Sequence, residues 1–160
     1  MPGDYFRMDS IGWTPEDKYV FALKSPLVEK HMDNVYGILK EFLKPASKDG
    51  EKKLGVGEKI KVMELGCGSG EHAVKVCQNH KDVFWQPTDN TEVCLESTNK
   101  RAKFFGVLKN NTPQGMNGNL NEAFKMNILY YEKAMKELDP KWRSVDAFVL
   151  MNVLQYTPFR

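Results

Sequence analysis

The sequence has no excess of charge of either sign. Over 160 residues, 23 lysine and arginine residues stand against 21 aspartate and glutamate residues, which gives a formal net charge of +2. A chain so close to neutral has no strong overall attraction for phosphate backbones or anionic lipid surfaces. We therefore expect neither nucleic acid nor a membrane as a partner.

Long apolar runs and paired cysteines are also missing. No stretch approaches the roughly 20 apolar residues that span a bilayer, and the first ten residues, MPGDYFRMDS, lack the apolar centre of a signal peptide. Three cysteines, Cys67, Cys77 and Cys94, form no CxxC pair and no spacing of metal ligands. An odd cysteine count without an export signal favours a reduced, cytoplasmic protein. We expect no metal site.

Two regions of different pattern follow each other along the chain. Residues 1–24 mix aromatic and charged residues without a steady period, and we interpret them as an N-terminal arm. Ser25 is a good N-cap and Pro26 suits the first position of a helix, which Pro45 ends. Apolar residues recur in this helix at intervals of three and four, as expected for one buried stripe. The predicted stripe consists of Val28, Met32, Val35, Leu39 and Phe42.

Beyond a polar connection, apolar segments of strand length alternate with segments of helix length. This alternation is typical of an open parallel sheet with right-handed crossovers. We therefore predict one α/β domain over residues 25–160, with a Rossmann-like sheet and flanking helices. The predicted strands are residues 59–65, 82–87, 122–128 and 145–153, and the predicted helices after the first are residues 71–80, 91–108 and 130–138.

Three glycines, Gly66, Gly68 and Gly70, stand at alternate positions between the first strand and the helix that follows it. Glycine permits positive φ and lets a ligand approach the backbone without a Cβ in the way. The start of the next helix adds free N–H groups and a partial positive charge. In an open parallel sheet, ligands bind at the carboxyl ends of the strands, where this junction lies. The pattern indicates a cofactor loop, and an ordinary glycine-rich turn is the alternative.

The spacing of the glycines discriminates between cofactors. Dinucleotide sites favour G-x-G-x-x-G, but here Glu71 stands where the last glycine would fall. We expect Glu71 to disfavour a pyrophosphate, whereas a cationic sulfonium tolerates nearby acids. With Glu64 two residues before the first glycine, the pattern E-x-G-x-G-x-G is similar to motif I of class I S-adenosylmethionine-dependent methyltransferases. A nicotinamide-dependent oxidoreductase is the less favoured alternative.

An acidic residue ends the second predicted strand. Asp89, in FWQPTDN, follows Gly70 by 19 residues, close to the roughly 20 residues that separate a glycine loop from its ribose-binding acid. A carboxylate there can accept hydrogen bonds from both ribose hydroxyls. The alternative is a turn or N-cap aspartate without contact to a ligand.

The runs MELGCGSGEHA and WQPTD together resemble the methyltransferase-like 26 family, a branch of the class I methyltransferases, in which GSGQHA and WQPSD follow in the same order. The resemblance covers about residues 25–158. It implies S-adenosyl-L-methionine as the cofactor and an unidentified small molecule or protein as the methyl acceptor. Cys67, inside the loop, is counted with the contacts, although a small residue there can simply fill space. The expected cofactor contacts are Glu64, Gly66, Cys67, Gly68, Gly70, His72, Asp89, Asn127 and Asn152.

The chain departs from the family at positions that bear on catalysis. The family's histidine beyond strand four is Gln155 here, and its aspartate at strand three is Asn127. A glutamine side chain cannot act as a general base, so no catalytic residue is assigned. A non-catalytic module that binds the cofactor or a partner is the second hypothesis.

The fourth predicted strand raises a separate expectation. The run VDAFVLMNVLQY is apolar on both faces, as in a central parallel strand. The class I fold usually continues with three more strands, whereas this sequence ends at Arg160. We expect a truncated domain that lacks its C-terminal strands. Its strand-four edge would then offer unpaired backbone and apolar surface to a partner or a second copy.

Overall fold

A computed structural model describes residues 26–43, 59–109, 118–138, 140–142 and 144–151. The predicted N-terminal arm, Asn152 and Gln155 lie outside the described residues. Within them, no helix is long and apolar enough to cross a membrane.

Four parallel strands form one sheet in the order β3-β2-β1-β4. In register, Ile60 lies opposite Val83 and Val62 lies opposite Ala147. Almost every residue of the two central strands is buried, because helices cover both faces of a parallel sheet. The predicted Rossmann-like sheet is confirmed. Its strands are β1 (Ile60–Leu65), β2 (Val83–Asp89), β3 (Phe124–Lys125) and β4 (Ala147–Leu150).

The helices are α1 (Pro26–Phe42), α2 (Glu71–Asn79), α3 (Glu92–Phe104) and α4 (Tyr131–Glu137), with 3-10 turns at Ile128–Tyr130 and Pro140–Trp142. Alternate residues of β1 enter two separate cores. Ile60 and Val62 pack with α1, α2 and α3 on one face, whereas Met63 and Leu65 pack with α4 and Trp142 on the other. The sheet is therefore the middle layer of three.

The buried apolar stripe of α1 differs from the predicted stripe at the C-terminal end of the helix. Met32 and Leu39 are buried as expected, but Phe42 is 75% exposed, and Leu43 packs against the core in its place. At 3.6 residues per turn, Leu43 lies nearly above Leu39 on the helix surface, whereas Phe42 is rotated away from it. Tyr36 also joins this stripe.

Helix α3 ends four residues before the predicted Leu108. Gly106 has φ 68°, and its N–H donates to Lys103 O while the N–H of Val107 donates to Ala102 O. These two bonds form a Schellman motif, which terminates a helix at a left-handed glycine.

The region after α3 also differs from its prediction. Leu108, released from the helix, pairs with Leu120, which pairs in turn with Trp85 of β2. Part of the predicted turn-rich loop is thus added to the edge of the sheet. The third strand is much shorter than its prediction, and the helix after it starts with a 3-10 turn. Strand β2 extends beyond Pro87 to include Asp89.

Strand β4 lies at the edge of the described sheet, paired with β1. On the face that it shares with Met63 and Leu65 of β1, Phe148 is 46% exposed and Leu150 is 40% exposed. Phe148 makes an edge-to-face contact with Tyr131, with ring centroids 5.9 Å apart. The described part of β4 therefore carries apolar side chains on both faces, as predicted.

Candidate functional site

The glycine loop connects β1 to α2 at the carboxyl edge of the sheet. All three glycines have positive φ: 76° at Gly66, 56° at Gly68 and 81° at Gly70. The N–H groups of Gly66 and Cys67 both donate to the carbonyl oxygen of Thr88, at 2.9 and 2.8 Å. The loop is thus anchored to the end of β2, and its backbone conformation is one that glycine adopts without strain.

Gly68 and Gly70 are needed for different reasons. A Cβ at Gly70 would lie 2.8 Å from side-chain atoms of Thr98 and 2.9 Å from its Cα, so the start of α2 packs directly against α3. A Cβ at Gly68 would meet no heavy atom of the described residues within 4 Å. Gly68 therefore faces the open space in which a ligand can approach the loop.

Asp89 is joined directly to that loop. One carboxylate oxygen accepts a hydrogen bond from the N–H of Gly68 at 3.0 Å. The other accepts from the N–H and the hydroxyl of Thr91, at 3.0 and 3.1 Å, just before α3 begins. The structure thus brings together two predicted site residues, Gly68 and Asp89. It also gives Asp89 the turn contacts of the alternative interpretation, and the ribose contact stays a prediction.

Thr98 of α3 contacts the glycine loop from its buried side, and the sequence patterns did not predict it as a site residue. Its hydroxyl donates to the carbonyl oxygen of Gly68 at 3.0 Å and lies 3.4 Å from the sulfur of Cys67. Thr98 is fully buried on the α3 face that also buries Leu95 and Ala102. A polar residue in an apolar stripe was the sequence signal that could have revealed it.

Cys67 fills the space beneath the loop. Burial raises the pKa of its thiol well above the ordinary value, with the nearby Glu64 adding to the shift. A thiol held in the neutral form is a poor nucleophile. The position supports packing as the role of this side chain.

Glu71 is directed away from the open side of the loop. Its carboxylate accepts a hydrogen bond from the Ser69 hydroxyl and lies 3.4 Å from the guanidinium of Arg101 on α3. Both members of this ion pair are buried. The expectation that Glu71 would face a pyrophosphate is therefore wrong, because Arg101 draws its carboxylate into the interface between α2 and α3.

Glu64 is buried in the sheet, with 1% of its surface exposed. One carboxyl oxygen accepts a hydrogen bond from the indole N–H of Trp85 at 2.8 Å. Burial raises the pKa of Glu64 to about 8, against the opposing effect of that hydrogen bond, so the carboxyl is mainly protonated at neutral pH. Its contact with a cofactor stays a prediction, and its contact with Trp85 joins β1 to β2.

His72 occupies the second position of α2, two residues after the glycine loop. Its ring is half-buried and lies nearly parallel to the ring of His31 on α1, with centroids 6.3 Å apart. Burial lowers the pKa of His72, and Glu71 opposes this effect while His31 adds to it. The imidazole is therefore predominantly neutral at pH 7.

Asn127 follows β3 at the same edge of the sheet. Its side-chain oxygen accepts a hydrogen bond from the N–H of Leu129 at 2.9 Å and so caps a 3-10 turn. A contact with the cofactor stays a prediction, as it does for Asn152, which lies outside the described residues. The described part of the chain holds no group of three or more His, Cys, Asp or Glu side chains able to bind a metal ion.

Comparisons with solved structures find the same fold. The chain is similar to magnesium protoporphyrin IX methyltransferase (ChlM) from Synechocystis PCC 6803 with bound SAM, at 13% identity and a TM-score of 0.51, over 97% of this chain and 58% of that one. The form with bound SAH matches at 15% identity and a TM-score of 0.43, over 78% of this chain and 43% of that one. The chain thus spans 58% of the length of the first structure and 43% of the length of the second.

A family described as a protein of unknown function, DUF938, matches residues 34–160. That match covers most of the chain. The chain therefore belongs to the DUF938 family, and its open parallel sheet with flanking helices is the Rossmann-like fold of the methyltransferases.

Proposed function

We propose that this chain binds S-adenosyl-L-methionine and serves as a methyltransferase. One observation carries the proposal: the open-faced Gly68 and the strand-end carboxylate of Asp89 are hydrogen-bonded to each other at the carboxyl edge of β1 and β2. A loop that a ligand can approach closely and an acid beside it are the two parts that a nucleoside cofactor requires at this position of an open sheet.

The choice of S-adenosylmethionine rests on further support. The E-x-G-x-G-x-G pattern is the one that resembles methyltransferase motif I, and the solved structure of similar fold is a methyltransferase with bound SAM. The runs GSGEHA and WQPTD favour the methyltransferase-like 26 branch. The position of Glu71 contributes nothing to this choice, since Arg101 holds its carboxylate in the helix interface.

The chain's own contribution would be binding and orientation. S-adenosylmethionine supplies an activated methyl group, so methyl transfer requires neither a metal nor a covalent enzyme intermediate. Gly68 would let the cofactor lie against the backbone, and Asp89 would hold its ribose. Placing an acceptor nucleophile in line with the methyl group would supply most of the acceleration. The methyl acceptor would be a small molecule or a protein side chain.

Calorimetric titration with S-adenosylmethionine, S-adenosylhomocysteine and NAD tests the proposal. We expect saturable binding of the first two ligands and none of NAD. Asp89→Asn should weaken binding at least about tenfold, because it removes the charge that orients the ribose hydroxyls and one acceptor of the loop network. Asp82→Asn is the matched control, since Asp82 precedes the opposite end of the same strand.

The outcomes separate the alternatives. A folded chain that binds neither adenosyl ligand would refute the proposal, and binding of NAD instead would favour the oxidoreductase alternative. If Asp82→Asn weakens binding as much as Asp89→Asn does, the effect arises from loss of stability and Asp89 has no special role.

A second candidate function is a binding module, and the exposed Phe148 and Leu150 of β4 are the observation that favours it. Such a module would bind the cofactor without methyl transfer or would associate through the β4 edge. Gel filtration over a hundredfold concentration range, with Phe148→Ser beside the wild type, tests this association. A concentration-independent monomer in both would count against self-association.

A further inference from the structure

The two histidines next to the glycine loop have no role in the function proposed above. The chain contains three histidines. His72 is the second residue of α2, just beyond the loop, and His31 of α1 stacks against it. The third, His80, caps the far end of α2 and stacks on Tyr36. A pair of imidazoles at the cofactor edge is a chemical feature that packing alone does not require.

The position of His31 against His72 is fixed by the docking of α1 on α2. Met32, the next residue after His31, is buried in the main core. One turn further along α2, Lys75 lies 3.6 Å from Glu29 of α1. These contacts on either side of His31 hold the two helices in one register, so the pair is a product of the helix interface.

The surroundings of His72 suit a proton acceptor. Its partial burial disfavours the imidazolium form. The charged groups that bear on it are Glu71 on its own helix and His31 on α1, and the carboxylate of Glu71 is already paired with Arg101. Lys75 and Glu29 on the next turn largely neutralise each other. The half-buried ring of His72 keeps part of its surface in contact with solvent.

Other groups at this edge are less suited to accept a proton from a bound acceptor. Glu64 is buried in the sheet with its carboxyl on Trp85, and Cys67 lies under the loop. Asp89 has both carboxylate oxygens engaged with Gly68 and Thr91. Among the described residues near the glycine loop, His72 combines a neutral basic nitrogen with partial exposure.

We infer that His72 is the general base for methyl transfer. This inference rests on the proposed function. In the reaction, the lone pair of an acceptor nitrogen, oxygen or sulfur forms a bond to the methyl carbon. The carbon–sulfur bond breaks, and its electron pair remains on sulfur, which becomes a neutral thioether. The proton of the acceptor moves to the free ring nitrogen of His72 and from there to water.

The acceptor class follows from this arrangement. An imidazole base is useful for a nucleophile that must lose a proton during or after attack, such as an amine, a thiol or a hydroxyl group. A tertiary amine or a thioether acceptor has no such proton and would gain nothing from His72. The structure thus points to a substrate whose nucleophilic nitrogen, oxygen or sulfur carries a proton that it can lose.

Proton NMR titration of the three histidine signals tests the inference on the full chain. The spectra are compared in complexes with S-adenosylmethionine, whose sulfonium is cationic, and with S-adenosylhomocysteine, whose thioether is neutral. If the acceptor side of the methyl group faces His72, the sulfonium charge at about 6 Å should lower the pKa of His72 by about 0.5 to 2 relative to the thioether complex. His72→Gln assigns the signal.

His80 is the internal control. It lies eight residues beyond His72, or about 12 Å along the helix, and its pKa should change far less. Equal pKa values of His72 in the two complexes would overturn this inference while leaving cofactor binding intact. Equal shifts of His72 and His80 would also overturn it, because they would report a general change of the fold. Failure of both ligands to bind in calorimetry would instead overturn the proposed function, and this inference with it.

Discussion

Replacing the glycines one at a time separates the packing role of the loop from its ligand role. Gly68, Gly70 and Gly106 all have positive φ, so alanine at each position meets the same backbone penalty. They differ in their surroundings. At Gly70 the added methyl group overlaps Thr98, whereas at Gly68 and Gly106 it meets no described heavy atom within 4 Å. Gly106 lies beyond α3 and away from the loop, which makes it the control.

The expected magnitudes follow from these surroundings. A left-handed alanine costs about 1–2 kcal/mol, and this should be the whole loss of stability for Gly68→Ala and Gly106→Ala. Overpacking adds about 1–3 kcal/mol, so Gly70→Ala should lose about 2–5 kcal/mol in total. One of the close contacts is to the backbone of Thr98, at 2.9 Å, and a side-chain rotation therefore cannot relieve it.

Urea unfolding followed by tryptophan fluorescence measures the three losses, and calorimetry with S-adenosylmethionine measures the three affinities. We expect Gly68→Ala to bind at least about tenfold more weakly than Gly106→Ala, a difference of about 1.4 kcal/mol, although the two are equally stable. Equal stability of Gly70→Ala and Gly106→Ala would refute the packing argument. Equal affinity of Gly68→Ala and Gly106→Ala would refute the assignment of Gly68 to the ligand.

Three further substitutions test the network around the site. Glu64→Gln should gain stability over the wild type as the pH rises from 4.5 to about 8, because the folded chain holds the carboxyl proton up to its raised pKa whereas the unfolded chain releases it near 4.5; a difference in melting temperature that does not vary with pH would contradict this. Arg101→Met should cost about 3–5 kcal/mol by leaving the Glu71 carboxylate buried without its partner, and urea unfolding should show that adding Glu71→Gln recovers part of the loss. Tyr36→Phe should cost about 1 kcal/mol through the lost 2.7 Å hydrogen bond to Asp82, again by urea unfolding, and an unchanged stability would mean that this bond does not help to dock α1.

The sequence predicted strand β1 and helix α2 well, and it predicted the end of α3 and the segment after it poorly. The reasons are physical. Strand β1 and helix α2 appear within a residue of their predicted bounds, since burial on both faces and a regular apolar stripe leave clear patterns. The end of α3 depends on Gly106, which is left-handed. From the sequence alone, a glycine that ends a helix cannot be distinguished from a glycine that lies within one. The pairing of Leu120 with Trp85 joins residues that are distant in the sequence, and no local sequence pattern predicts it.

The residues of the candidate site also differ in how well the sequence predicted them. The glycines and Asp89 could be predicted from the residue types and spacing at a loop and a strand end, and the structure brings Gly68 and Asp89 together. The only sequence signal for Thr98 was a polar residue in an apolar stripe. Arg101 could not be predicted, because its role depends on which face of α3 meets the loop across the fold. The direction of the Glu71 side chain was mispredicted for that reason. A rule about glycine spacing contains no information on a buried arginine thirty residues later.

The two interpretations of Asp89 are compatible, and their compatibility explains the position of the residue. Its hydrogen bonds to Gly68 and Thr91 tie the loop, the end of β2 and the start of α3 together. A carboxylate oxygen has two lone pairs. The oxygen bonded to Thr91 already accepts two hydrogen bonds, whereas the oxygen bonded to Gly68 accepts one and can accept another. Under the proposed function, a ribose hydroxyl would therefore meet a carboxylate that is already oriented. A site ordered in advance loses less conformational entropy on binding, and this is the physical advantage of giving one aspartate both tasks.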